Sequence, residues 1–157
     1  VEVSHALSDA QRDTILAIDD EKFREELRYT RAELEERSRR PGFTCFLLSL
    51  KDRPIAYDYG YDDDEPGAFY SDSAATLIER RGVGSTLSAL EAVYCYGRGY
   101  RRVKLSTEER DEVGRALRRY WERFGFTVIS TDEDDNIVMV MELTTEAVVG
   151  LHGKYIT

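Results

Sequence analysis

The spacing of apolar positions along this chain alternates between the helical period and the strand period, and the points of change mark its elements. Ser8 stands where a helix N-cap belongs, with Ile15, Leu16 and Ile18 behind it on one apolar side. A charged helical pattern follows over residues 21–40. Phe23, Leu27 and Leu34 face inward there, and Arg and Glu residues three and four apart support one another outside. Thr30 with Glu33 forms a capping box, which predicts a break within the pattern, and Pro41-Gly42 ends it. The period then drops to two. Residues 43–50 and 55–61 read as the arms of a hairpin across the turn 51–54. Ile55, Tyr57, Tyr59 and Tyr61 share one face of the returning arm, either as cover for a sheet or as the lining of a cleft.

Residues 62–67 are an acidic turn without the alternate spacing of a calcium loop, so they read as a solvated loop or an acidic lip that attracts amines. Ala68, Phe69 and Tyr70 open a further strand. A glycine-punctuated turn over 79–85 leads into a helix whose Leu87, Leu90, Val93 and Tyr94 recur at helical spacing, and Gly97 and Gly99 close it. Residues 103–107 predict a buried strand. A helix starting near Asp111 presents Val113, Ala116, Leu117, Tyr120 and Phe124 on one side and stops at Gly125. Strands over 126–131 and 137–143 flank the polar turn 132–136, and the tail 144–157, with two glycines, predicts loose packing. Helices and strands in this order predict a mixed α/β sheet in one domain spanning residues 1–157.

Composition narrows the class. At 157 residues with 41% apolar and 34% charged positions, the chain has room for a proper core and the balance of an ordinary globule. It has no apolar run of membrane-spanning length and no secretory layout at its start, so a cytoplasmic location and no membrane partner are expected. The first residue is Val1 rather than methionine, as in a processed or excised chain. A net charge of −9 argues against a nucleic-acid partner and favours a cationic one. Cys45 and Cys95 lie in apolar segments without His or Cys at ligand spacing, which predicts buried thiols and no metal. His5 and His152 stand alone and read as incidental.

The candidate chemistry sits at the strand-to-helix junction. Gly82 and Gly84 remove the Cβ atoms that would hold a ligand off the backbone, and a helix's first turn offers N–H groups without internal partners. Arg80 and Arg81 add charge to the helix dipole, so the junction predicts a cradle for a diphosphate. The turn is too short for a Walker loop and lacks the third glycine of a dinucleotide fold.

The element order, this glycine turn and the run Tyr120-Trp121-Glu122-Arg123-Phe124-Gly125-Phe126 together resemble the GNAT acyltransferase superfamily. The family is known for an Arg/Gln-x-x-Gly-x-Gly/Ala loop that holds the diphosphate of acetyl-coenzyme A, and for a later aromatic helix that ends in Gly-Phe. The resemblance implies a mixed, mostly antiparallel central sheet of six to seven strands flanked by about four helices. It also implies acetyl-CoA as co-substrate, with Ala75, Thr76, Leu77, Arg80, Arg81, Gly82, Val83, Gly84, Ser85 and Thr86 at the cofactor. The family's Arg/Gln position falls on Glu79 and its usual tyrosine on Trp121, which leaves Arg80 and Arg81 as the cations and Tyr120 as the nearest phenol.

The implied activity is acetyl transfer to a primary amine of a small molecule, peptide or protein. A CoA-binding sensor or interaction module that has lost catalysis is the alternative reading. An amine must lose its proton before it attacks, and a departing thiolate gains from an acid. Asp72 and then Glu108 or Glu109 are the candidate bases, Tyr120 the candidate acid, and Ser73 or Ser106 a candidate water-ordering hydroxyl. Backbone N–H groups around residues 74–77 would stabilise the oxyanion if the resemblance holds. Dimers are frequent among the proteins it resembles, so a homodimer is one possible assembly and the oligomeric state stays open.

Overall fold

The computed structural model describes residues 1–78, 82–111 and 114–156. Its centre is a seven-stranded sheet in the order β1-β2-β3-β4-β5-β7-β6. The strands are β1 (Glu2–Ser4), β2 (Thr44–Leu50), β3 (Arg53–Asp62), β4 (Ala68–Thr76), β5 (Arg102–Thr107), β6 (Thr127–Thr131) and β7 (Ile137–Glu142). Among the strand pairs of the described residues, only β4–β5 is parallel. Helices are α1 (Asp9–Lys22), α2 (Arg31–Ser38), α3 (Val83–Gly97), α4 (Leu117–Phe124) and α5 (Thr145–Leu151). The mixed, mostly antiparallel sheet agrees with the expected class.

Local chemistry accounts for the helix starts. Ser8 and Thr30 each complete a capping box, with Gln11 and Glu33 as the reciprocal residues. The stretch between α1 and α2 holds one short 3₁₀ turn, Glu25–Leu27, so the charged pattern over 21–40 is not one helix. The helix expected from Asp111 instead begins at Leu117. Ahead of it, Asp111 accepts from the Arg115 N–H, and Gly114 holds φ 84°, outside the helical range. Val113 lies outside the described residues.

The sheet separates two packing layers. On one face, Tyr57 and Tyr59 are fully buried with Phe43, Ile15, Ile18 and Leu34 under α1 and α2, so these tyrosines are core and not a cleft wall. On the other face, α3 packs against Phe69, Val103 and Met139 together with Phe124 of α4. The tail is part of this layer. Val148 and Leu151 are buried, and Tyr155, in a π-helical turn after α5, stacks on Phe124 at 5.1 Å. The loose packing expected for 144–157 is corrected by these contacts, since Val148, Leu151 and Tyr155 meet ring or aliphatic partners that local sequence does not display, while Val149 stays exposed. Cys45 and Cys95 are buried free thiols, and burial pushes Cys45 up to about 12.

Candidate active site

The site begins where β4 leaves β5. Their pairing runs from Ala68↔Arg102 to Ser71↔Leu105 and stops, while β4 continues to Thr76 along β3. A register shift in the β3–β4 ladder lies at this point. Tyr59 pairs with Ser73 and Gly60 with Ser71, which leaves Asp72 as the extra residue of a bulge. Gly60 permits this geometry, because a Cβ there would collide with the Tyr70 carbonyl and the Phe69 ring. Beyond the bulge β4 no longer pairs with β5, and among the described residues the edge of residues 72–76 that would face β5 has no strand partner. Across the mouth of the split, the Tyr70 hydroxyl donates to Ser106 Oγ at 3.0 Å.

Beyond β4 the chain reaches the first turn of α3. Gly82 holds φ 73° and ψ 9°, a left-handed conformation that favours glycine, and the right-handed helix follows at once. This sequence of conformations directs successive N–H groups into one concavity. The first helical bond recorded is Thr86 N–H to Gly82 O at 2.9 Å, so the amides of residues 83–85 precede the helical ladder. Among the described residues, Cβ atoms built on Gly82 or Gly84 would meet nothing within 4 Å, and residues 82–86 are exposed to half-buried. The backbone is therefore open to an approaching ligand, as a phosphate cradle requires. Arg80 and Arg81 lie outside the described residues, as does Glu79.

Tyr120 and Trp121 divide the α4 surface. Trp121 turns inward, edge to face with Phe126 at 5.5 Å and Phe124 at 5.8 Å. Tyr120 turns to α3, with its hydroxyl 2.5 Å from Ser85 Oγ. Burial raises the Tyr120 pKa, against a lowering by Ser85, and keeps the phenol protonated at neutral pH. The phenol of this helix thus reaches the glycine turn from position 120, and position 121 serves the core. Thr86 Oγ1 donates to the Tyr155 carbonyl at 3.0 Å, which ties the same turn to the C-terminal segment. Ala75, Thr76 and Leu77 are half-buried at the end of β4, with Thr76 Oγ1 accepting from the Ile78 N–H at 3.1 Å.

The carboxylates nearest the split differ in their surroundings. Asp72 accepts from the hydroxyls of Tyr29 at 2.8 Å and Tyr61 at 2.7 Å. Arg37 Nε lies 3.2 Å from its Oδ2 as an ion pair, and the Asp72 side chain is only 4% exposed. Burial, and then the Asp72 charge, push the Tyr29 phenol up to about 12. Glu108 stands at the rim after β5, 37% exposed, and is bound to Arg24 at 3.0 Å. Glu109 is instead held by Arg118 on α4, at 2.6 Å. The acidic turn is also engaged, since Lys104 Nζ lies 3.1 Å from Asp63 and Arg102 lies 3.1 Å from Glu65. Asp19, which the sequence pattern hid within a charged run, is 3% exposed at the end of α1 and accepts from the Tyr57 hydroxyl. Among the described residues, no group of three or more His, Cys, Asp or Glu is arranged to hold a metal ion, and no helix is long and apolar enough to cross a membrane.

No protein-family model matches the sequence, and no curated protein does. Solved structures do match. An aminoglycoside 6'-acetyltransferase type Ii superposes with a TM-score of 0.76 over 92% of this chain and 98% of its own, at 15% identity. The ribosomal-protein-S18-alanine N-acetyltransferase from Escherichia coli gives 0.72 over 92% and 94%, at 13% identity. The PaiA N-acetyltransferase from Thermoplasma acidophilum, in complex with coenzyme A, gives 0.69 over 90% and 98%, at 13% identity. Identities this low speak for the fold, and the superpositions take in nearly the whole of each chain. The split between β4 and β5, the glycine turn before α3 and these superpositions agree: the fold of this chain is that of the GNAT N-acetyltransferase superfamily.

Proposed function

We propose that this chain moves an acetyl group from acetyl-CoA to a primary amine by direct transfer between two bound substrates. The observation that carries the reading is the position of the unpaired β4 edge directly before the open first turn of α3. Bound acetyl-CoA supplies the activated thioester. The amides of Val83, Gly84 and Ser85 receive its diphosphate, with Gly82 shaping the turn and Arg80 and Arg81 adding positive charge. Ala75, Thr76 and Leu77 form the strand end along which the rest of the cofactor lies; the Leu77 N–H is given to the Ile55 carbonyl at 2.7 Å, so the donors that serve the carbonyl oxygen are backbone N–H groups on the edge of β4 turned away from β3. Thr86 fixes the turn against the C-terminal segment. Tyr120, already within hydrogen-bond reach of Ser85, protonates the departing thiolate.

Asp72 takes a different part from the one its position in the strand suggests. Two phenols and a guanidinium occupy its carboxylate, so we assign it to holding α2 and the 23–30 segment against the bulge. Glu108 stays at the rim, where it attracts the ammonium form of the acceptor. The acceptor class is a cationic amine, supported by the net charge of −9. The similar enzymes differ in acceptor, an aminoglycoside for one and a ribosomal-protein alanine for another, so the shared fold favours none of these for this chain.

Thiol release from acetyl-CoA with a panel of primary amines tests the proposal. Amine-dependent release is expected. Cofactor binding without it would favour the sensor or interaction module, and absence of binding at millimolar CoA would refute both.

A further inference from the structure

One chain of hydrogen bonds crosses the α1/α2 layer from its interior to the split. The Tyr57 hydroxyl, at 0% residue exposure, donates to Asp19 Oδ1 on α1 and lies 2.9 Å from Ser73 Oγ on β4. Ser73 is half-buried and belongs to the stretch of β4 beyond its last pair with β5. Proton counting fixes the direction. A carboxylate only accepts, so the single Tyr57 proton goes to Asp19, and Ser73 must donate its own proton to the Tyr57 oxygen. The lone pairs of Ser73, half-buried on the stretch of β4 beyond β5, are then the end of the chain and can accept from a further donor. A protonated amine is such a donor.

We propose that Asp19 is the proton acceptor of the acyl-transfer reaction, reached through Tyr57 and Ser73, an inference that rests on the acetyltransferase reading above. The ammonium N–H bond breaks and its proton passes to Ser73 Oγ. Ser73 passes its proton to the Tyr57 oxygen, and Tyr57 passes its own to Asp19. The balance is a free amine, two unchanged hydroxyls and a neutral Asp19. Ser73 touches the substrate, whereas Tyr57 and Asp19 act through it.

The environment suits the task. Burial raises Asp19 from its ordinary value to about 6, with Asp20 adding to the rise while Tyr57 and Arg28 oppose it. Asp19 is therefore ionised at neutral pH yet more basic than a surface carboxylate. Burial and the Asp19 charge hold the Tyr57 phenol well above its usual value, so it relays by giving one proton as it takes another. Besides Asp20 and Arg28, the ionisable groups facing this region are Tyr59 on β3, and Asp72 on β4 with its partners Tyr29 and Arg37.

The test is the pH profile of kcat/KM with acetyl-CoA and the probes butylamine and 1,4-diaminobutane, for wild type, Asp19→Asn and Ser73→Ala. With the relay, the predominant ammonium form reacts. The wild-type profile is then flat from about pH 6 to the amine's own pKa, about 10.4 for a lysine-like amine, and falls below pH 6. Without the relay only free amine reacts, so Asp19→Asn should rise about tenfold per pH unit and lose at least about 100-fold at pH 7. Ser73→Ala should behave alike, and both variants should bind CoA as wild type does in a thermal-shift titration. A carbon-13 titration of the Asp19 carboxyl should find a midpoint near 6 that moves upward in Tyr57→Phe. Variants that keep the flat profile and the wild-type rate would overturn the relay and leave acyl transfer intact. A wild type without amine-dependent thiol release would overturn both.

Discussion

Replacing Asp72 with Asn separates a clamp from a base. The carboxylate accepts from two phenols at 2.8 and 2.7 Å and faces Arg37 at 3.2 Å. A hydrogen bond to a charged partner is worth about 1.5–3 kcal/mol against about 1 kcal/mol for a neutral one, so each phenol loses roughly 0.5–2 kcal/mol. The new amide NH₂ also points at a donor, which leaves one buried group unsatisfied at a further cost of about 1–3 kcal/mol. Arg37 is 19% exposed and partly screened, which places the total at the low end of the summed range, about 2–3 kcal/mol. In a chain of this size that lowers Tm by about 4–12 °C. Circular dichroism melts at pH 7 measure it, beside thiol-release rates taken well below both transitions. A variant that melts within about 1 °C of wild type but has lost turnover would refute the clamp and restore Asp72 as the base.

Tyr120→Phe should lower kcat by about 10–100-fold while KM for acetyl-CoA stays within about threefold, the lower end of acid catalysis because a thiolate leaves readily. Equal kcat in steady-state assays would remove Tyr120 from the chemistry. Asp58 on β3 and Glu91 on α3 face each other at 1% and 3% exposure, and burial raises both pKa values, with each carboxyl also sensing the other. The folded state therefore keeps protons that the unfolded chain releases in the ordinary carboxylate range. Stability from this pair is full below that range and is lost as pH rises through the raised values. Glu91→Gln should flatten the fall by up to about 1.4 kcal/mol per pH unit, seen as urea midpoints against pH, and an unchanged slope would contradict the shared-proton picture.

Much of the molecule was legible because its signals are local. Ser8 and Thr30 show their caps within three residues, and Gly82 and Gly84 show the turn before α3 by their own conformational freedom. Legibility fails where the cause is distant. β1 has three residues and exists because β2 pairs with it. The tail packs because Phe124 offers a ring to Tyr155. Asp72 stood out as a carboxylate beside the site, but its partners Tyr61 and Tyr29 lie 11 and 43 residues away, and they decide what it does. Asp19 reads as one acid in Asp19-Asp20-Glu21-Lys22, and only the packing of α1 on Tyr57 reveals it as the buried one. Tyr120 and Trp121 are adjacent aromatics whose division between α3 and the core depends on how α4 is rotated.

Calorimetric titration of coenzyme A into the wild type and Gly84→Asp probes the phosphate cradle itself. A Cβ at position 84 meets nothing within 4 Å among the described residues, and an acidic residue in a helix's first turn is itself favourable by about 0.3–1 kcal/mol. The variant should melt no lower than wild type yet bind CoA at least about tenfold more weakly, because its carboxylate occupies and repels the phosphate position. Wild-type affinity in the folded variant would contradict the cradle at the start of α3.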